Sequence, residues 1–505
     1  MTSPVAPSEV ERFRNVIGRL LGLHIDDGKL GFLGEILSRR IEVLGQTTGT
    51  YLFALETEPA QHELATLAQE LTVGETYFYR NHEQFDAFVE ICLPDRRRAQ
   101  AVHRRLRMLS AGCATGDEAY TLAMLVREHL PDPSWNVSIL GVDLNPVMIE
   151  KATLARYSSW SLRETPPEIQ RRWFRMVGRE ALLDESIKSA VQFEQRNLVA
   201  ENFGFWMPES YDVIFCRNVL MYFTPDHARV VIGHIARALA PGGYLFLGHA
   251  ETLREISVDF HLRHTHGTFY YQRRGRLEDA QPERPAPEAV SRMPPLMAVV
   301  EGSQTWVEAI RHASERVQEL TAPHRQAQPH HEPSLPSRRL DLGVALELVQ
   351  QERFSDALTL VEGLSPDVIH DPDVLLLRAA LLTHGGQPRE GEKFCQKLLE
   401  IDELNAGAHY VLALCREEAG DRQGAVNHDQ MAVYLDRAFA MPRLHLGMLA
   451  RKQGDRQMAH REFEQALILL QREDASRLLL FGGGFGREAL LALCRAELNA
   501  CAGRP

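Results

Sequence analysis

At 505 residues with a formal net charge of −12, the chain is too long for one hydrophobic core and too acidic for nucleic acid as its main partner. Apolar residues make up 44% and charged residues 25%, the proportions of ordinary globular protein, so roughly two to four folded domains are expected. No stretch approaches a membrane span in length, and the N-terminal residues lack the basic and apolar regions of a signal peptide. The seven cysteines, at 92, 113, 216, 395, 415, 494 and 501, include no CxxC pair, so no zinc site or disulfide framework is expected. Free thiols suit a reducing cytoplasm, where the chain is placed.

Residues about 8–90 carry a helical pattern: Val10, Phe13, Val16, Ile17 and Leu20 recur at spacings of three and four. The basic run Arg96-Arg97-Arg98 with Arg104, Arg105 and Arg107 reads as a solvated loop before a strand. From 105 to 275 short apolar runs end in polar residues or glycine, at 107–111, 137–143, 211–216 and 244–248, with helical segments between. This is the βαβ rhythm of a parallel sheet covered on both faces. Ala240-Pro-Gly-Gly243 reads as a turn feeding the last central strand, and residues 267–271 as a further edge strand.

Composition shifts at about 275. Nine of the 26 prolines fall between 275 and 337, as in a linker. Within it Trp306, Ile310, Ala313, Val317 and Leu320 keep helical spacing, and His324, His330 and His331 lack the frame of a metal site. From 339 a repeat begins. Gly386, Gly420 and Gly454 lie 34 residues apart, as do Ala357, Gly391, Ala425 and Ala459, and Leu412 and Leu446. A unit of this length, with small residues at a helix crossing, resembles the tetratricopeptide repeat. Three strong repeats and a weaker first one are expected, closed by a capping helix from Arg487 after the glycines at 482–484 and 486. The domains are thus 1–90, helical; 91–274, α/β, with a small insert at about 157–196; 275–338, linker; and 339–505, repeats.

The chemistry concentrates at Leu109-Ser-Ala-Gly-Cys-Ala-Thr-Gly-Asp-Glu118, a strand running into a small-residue turn and a helix. Gly112 and Gly116 let backbone approach a ligand closely. Asp117 and Glu118 at the helix start suit the positive dipole end but repel a phosphate. The loop therefore suits a ligand with a cation near the turn, such as the sulfonium and α-amino group of S-adenosylmethionine. A nicotinamide fold is disfavoured, because GxGxxG is missing. Asp143 closes the second strand, 31 residues after Gly112, where an acidic residue accepts ribose hydroxyls in nucleotide-binding folds. Asn197-Leu198 and Cys216-Arg217-Asn218 follow the next two strands, so these segments converge at one crevice.

Four segments occur in order: 72–80 (TVGETYFYR), 110–118 (SAGCATGDE), 215–223 (FCRNVLMYF) and 241–249 (PGGYLFLGH). Together they resemble the CheR family of chemotaxis receptor methyltransferases, over roughly 10–274, and the repeat extension resembles a subgroup of it. The resemblance implies a Rossmann-like domain after an all-α domain, and transfer of a methyl group from S-adenosylmethionine to receptor glutamates, leaving S-adenosylhomocysteine. It implies that Thr76 and Arg80 belong to a polar loop between the domains, with Arg80 at the cofactor carboxylate and the acceptor. It implies Glu118 at the cofactor amino group, Asp143 at the ribose, Asn197 and Leu198 at the adenine, Cys216 and Arg217 beside the methionine moiety, and Tyr222 facing the methyl group. Gly74 stands where many members have Asn, leaving a backbone contact at most, and Ala119 where Pro is usual. The stretch between Phe174 and Asn197 is shorter than in members that dock a receptor tail.

Transfer to a carboxylate needs no general base, since glutamate, with a pKa of about 4.3, is ionised at neutral pH. Arg80, Arg217 and Tyr222 would position the reactants. The expected partners are the cytoplasmic domain of a chemoreceptor and an unidentified protein bound by the repeats, with no metal and no membrane insertion. Lys29, Arg39 and Arg40, on or near one helix, would steer the enzyme to acidic receptor surfaces. The alternative is a non-catalytic scaffold that assembles a signalling complex through the repeats.

Overall fold

The computed structural model describes residues 5–202, 204–275, 353–363 and 371–502, with Ala345, Leu348, Val349 and Gln351. The chain divides into two units, Met1–Gln281 and Pro282–Pro505. The helical spacing around Trp306 and the histidines at 324, 330 and 331 lie outside the described residues.

The first unit opens with four helices, α1 (Pro7–Leu21), α2 (Leu30–Leu44), α3 (Thr48–Thr57) and α4 (Gln61–Leu71). The α1 start is fixed by Glu9, whose carboxylate accepts from the Ala6 N–H at 2.9 Å. Val10, Phe13, Val16 and Ile17 are buried among Leu33, Ile36, Leu37, Leu52 and Leu67, as their spacing predicts. The structure corrects the reading of the basic residues here. Arg40 is buried, and its guanidinium donates to both Glu63 carboxylate oxygens while Tyr51 Oη donates to one of them at 2.7 Å. Arg40 is a core ion pair, not a steering charge. Arg39 is half exposed but paired with Glu70 at 2.5 Å.

The helical core ends near Leu71, short of the expected boundary at 90. Phe78, Phe85, Phe88, Cys92 and Leu93 instead pack with the sheet. They lie in or just before α5 (His82–Ala87), a π turn (Phe88–Cys92) and α6 (Leu93–Ala99). Phe85 stacks on Phe215 at 5.7 Å, and Phe215 on Phe246 at 4.3 Å. A run of large aromatics thus commits this segment to the second core, whatever its helical pattern suggests.

The sheet contains β1 (Arg105–Ala111), β2 (Asn136–Asp143), β6 (Val191–Gln195), β7 (Tyr211–Cys216), β8 (Leu239–Leu247), β9 (Phe260–Thr265) and β10 (Thr268–Arg273), in the order β6-β2-β1-β7-β8-β10-β9. The first five are parallel, and β10 and β9 are antiparallel. β8 begins at Leu239, so the Ala240–Gly243 turn is absorbed into the strand, with a register irregularity against Tyr211 and Val213. β10 is not the edge strand; β9 covers it. The insert forms a separate three-stranded sheet of β3 (Arg156–Ser158), β4 (Phe174–Val177) and β5 (Glu180–Leu183). It is smaller than expected, because β6 pairs with β2 in the main sheet. Helices α7 (Asp117–His129) and α8 (Pro146–Leu154) and the helix Pro225–Ala238 fill the connections after β1, β2 and β7.

The second unit is a helical array. Pro372–His384 pairs with Pro388–Ile401, Ala406–Glu418 with Arg422–Leu435, and Ala440–Lys452 with Arg456–Leu470. Gly386, Gly420 and Gly454 take φ values of +80°, +82° and +85°, which only glycine adopts freely. Ala357, Ala425 and Ala459 are fully buried at the crossings. At Gly391 an added Cβ would lie 3.0 Å from the Ala379 carbonyl oxygen, so the repeat of small residues is a packing requirement. The glycine-rich break precedes the helix Arg487–Ala502, which packs on Arg456–Leu470 as a cap.

Candidate active site

In a parallel sheet, ligands bind beyond the carboxyl ends of the strands, where the strand order reverses. Here β1 lies between β2, reached first along the chain, and β7, so the reversal falls at β1. A cleft of about 330 Å³ opens at that point. Its walls come from the segment after α4, the turn after β1, Asp143 and Leu144 at the end of β2, the loop after β6 and the loop after β7. Of the expected residues, Gly74, Thr76, Arg80, Gly112, Glu118, Asp143, Asn197, Leu198, Arg217 and Tyr222 line it. Cys216 does not; it is fully buried at the end of β7, and burial raises its thiol pKa well above the usual range.

Gly112 has φ of +75°, and any Cβ there would overlap the Val219 side chain, so the close approach of backbone is enforced by packing. At Gly74 a Cβ would meet the thioether end of Met148, which would have to swing aside. The two acids at the start of α7 diverge. Asp117 is fully buried and outside the lining; Thr115 Oγ1 donates to one of its oxygens at 2.5 Å, and burial pushes its pKa up to about 6. Glu118 lines the cleft, accepting from Ser110 Oγ at 2.7 Å and facing Arg217 Nε at 3.5 Å. Burial raises its pKa, opposed first by the Arg217 charge.

Arg217 is the centre of the constellation. It is buried, with Nη2 donating to the Arg80 carbonyl and to Asn81 Oδ1 at 3.1 Å. Its Nε and Nη1 have no hydrogen-bond acceptor. Buried donors without acceptors are costly, and a guanidinium fork matches a carboxylate. A ligand carrying an α-carboxylate would satisfy them, and Glu118 beside it suits the α-amino group. Asp143 accepts from Ala114 N–H at 2.9 Å and Asn145 N–H at 2.8 Å, and the Leu144 N–H is a further donor. A carboxylate has about four lone-pair sites, so about one remains for a ribose hydroxyl. The amino-acid and ribose ends of S-adenosylmethionine therefore fit the residues present. Asn197 is used structurally: Nδ2 donates to the Leu20 carbonyl and Oδ1 accepts from Val199 N–H, both at 3.0 Å. That leaves Leu198 as the apolar surface on this side.

Sequence reasoning passed over Leu23, Met148 and Arg196, which also line the cleft. It could have found Met148, one turn into the helix after Asp143, from the βα rhythm. Against the lining residue Tyr77, Arg163 lies 3.6 Å from the ring centroid, and it lies 4.3 Å from that of Trp160, which is exposed. Val73 and Met221 are exposed apolar residues in the lining. The described residues contain no cluster that could hold a metal ion.

Residues 74–269 match the family described as CheR methyltransferase, SAM binding domain. The chain is 32% identical to "Chemotaxis protein methyltransferase 2" of Vibrio cholerae over 52% of its length and 91% of that protein. It is 30% identical to "Chemotaxis protein methyltransferase" of Escherichia coli, over 52% of this chain and 91% of that one. A relative in Pseudomonas putida, "Probable biofilm formation methyltransferase WspC", is 27% identical over 90% of this chain and 97% of its own, and so spans the repeats as well. With its methionine- and ribose-matching cleft at the strand reversal, the chain belongs to the CheR family of S-adenosylmethionine-dependent methyltransferases.

Proposed function

We infer that the chain methylates glutamate side chains in the cytoplasmic domain of a chemoreceptor, forming glutamate methyl esters. The observation that carries this reading is the buried Arg217 guanidinium, whose Nε and Nη1 lack hydrogen-bond acceptors, beside Glu118 in a cleft that Asp143 and Arg80 also line. The names of the chemotaxis relatives support the receptor as substrate. The cofactor supplies an electrophilic methyl group on a positive sulfur. Arg217 and Glu118 hold its amino-acid end and Asp143 its ribose, with Leu198 against the adenine and Gly74, Thr76 and Gly112 offering backbone and hydroxyl contacts. Arg80, stacked near Tyr77 at 5.7 Å, orients the acceptor carboxylate, and Tyr222 walls the space for the methyl group.

The acceptor arrives ionised, so no residue needs to remove a proton. Opposite charges cancel as the methyl group moves, so a site that excludes water favours the step. Holding the two reactants in line removes about 7–11 kcal/mol of barrier. The repeats are assigned a protein-binding role that brings a partner to the enzyme. The relative whose name cites biofilm formation shares the repeat region, which favours a receptor from such a system over one controlling swimming.

The test is methyl transfer from methyl-labelled S-adenosylmethionine to a receptor cytoplasmic fragment. Label released as methanol in mild base is the expected result. Base-stable label would move the acceptor to nitrogen. No label, with cofactor binding intact, would leave the scaffold reading.

A further inference from the structure

We propose that Glu251 is a positioning residue whose buried carboxylate clamps the turn from Asn218 to Tyr222, and so sets where Tyr222 stands over the transferred methyl group. The inference rests on the methyltransferase reading for its catalytic consequence, but its geometry stands alone. Glu251 follows β8, in a turn closed by its own N–H donating to the Gly248 carbonyl at 2.9 Å. It is 5% exposed. One carboxylate oxygen accepts from the N–H groups of Asn218 and Gly248, each at 2.7 Å, and the other from Met221 N–H at 3.3 Å. The Val219 N–H is a further donor to the same carboxylate.

A carboxylate suits this place because several converging N–H groups need acceptors only. A glutamine offers one acceptor oxygen, and its NH₂ would face donors. The turn has reason to need a clamp. Asn218 sits at φ +59°, a conformation that persists where surrounding contacts over-determine it. Leu220–Tyr222 forms one 3₁₀ turn, too short to hold itself. Cys216 and Leu247 are paired neighbours on β7 and β8, so the two loops leave the sheet side by side, and Glu251 reaches across from one to the other. The fit is close. A Cβ added to Gly248 would lie 2.7 Å from Asn218 Nδ2, 2.8 Å from Glu251 Oε2 and 2.9 Å from Asn218 N.

The contacts that anchor Arg217, to the Arg80 carbonyl, Asn81 and Glu118, do not pass through the clamp, and the Glu251 charge is the smallest of the influences on its guanidinium. Loss of the clamp should therefore spare the methionine end of the cofactor site and disturb the segment beyond it. That separates Glu251 from a residue that merely keeps the domain folded.

The test uses the full chain with E251Q and, independently, G248A, which crowds the clamp while keeping the carboxylate. Amide hydrogen exchange over residues 217–222, S-adenosylhomocysteine affinity by calorimetry, and turnover at saturating cofactor are measured. The expected result is faster exchange at Asn218, Val219 and Met221, unchanged affinity, and turnover lower by about 10²-fold, the scale of an ångström-sized misplacement. Unchanged exchange, unchanged turnover, or an equal loss of affinity and turnover in E251Q would each overturn the proposal. If wild-type protein binds S-adenosylhomocysteine but methylates no receptor, the glutamate reading fails, and exchange in E251Q still decides the clamp.

Discussion

Replacing Asp143 with alanine tests the cleft at its most exposed commitment. The side chain accepts from the Ala114, Asn145 and Leu144 N–H groups and has about one lone-pair site left for a ribose hydroxyl. A hydrogen bond to a charged group contributes about 1.5–3 kcal/mol. Water in the open cleft recovers part of this, so the lower figure applies, and the lost bond costs about 1.5 kcal/mol. At about 1.4 kcal/mol per decade, binding of S-adenosylhomocysteine should weaken by about 10-fold. The orphaned backbone donors also cost about 1–3 kcal/mol of stability, so a melting curve must accompany the titration. Asp143→Asn keeps one acceptor oxygen and should fall between. The assay is calorimetric titration of the full chain. A folded Asp143→Ala protein with wild-type affinity would refute the placement of the ribose, and with it the orientation of the cofactor.

Glu118→Gln should weaken the same ligand by about 1.5–3 kcal/mol, since it removes the charged acceptor for the amino group; equal affinity on calorimetry would contradict that role. Arg40→Ala should destabilise the first unit by about 3–5 kcal/mol, because Glu63 is left buried without its partner. A normal melt with slow receptor methylation would instead restore the steering role. In the repeats, burial pulls the His445 pKa down, but Asp429 at 2.7 Å and Glu417 at 2.8 Å overcome it and raise it to about 9. A raised basic group stabilises fully below its unfolded value of about 6.5 and loses that contribution as pH climbs through about 9. The melting temperature of the second unit should therefore fall as pH rises between those values, and His445→Gln should abolish the fall; parallel pH profiles for the two proteins would exclude it.

Several features were legible because they are periodic or confined to one short segment. The βαβ rhythm follows from strands buried on both faces, which read as continuous apolar runs ending at the ligand side. The turn at Gly112 and the acid at Asp143 belong to single strand ends, so backbone chemistry alone locates them. The repeat was visible because every unit solves the same packing problem, with glycine at the helix end and a small residue at the crossing, 34 residues apart.

What depended on partners distant in sequence was not legible. Arg39 and Arg40 look alike on paper, yet Glu63 and Tyr51 draw Arg40 into the core and leave its neighbour at the surface. Asp117 and Glu118 are adjacent, but the start of α7 turns one inward and the other to the cleft. Asn197 lines the cleft as expected, but its side-chain amide is tied to Leu20, 177 residues away in the chain. Cys216 falls behind the lining because strand alternation points it away from its neighbour Arg217. Most strands and helices and the ligand-facing turn at Gly112 follow from local periodicity and backbone chemistry, and so can be read one segment at a time. Which polar side chains are consumed in holding the protein together, and which face the ligand, depends on donors and acceptors brought together from far along the chain, so it emerges with the packed fold alone.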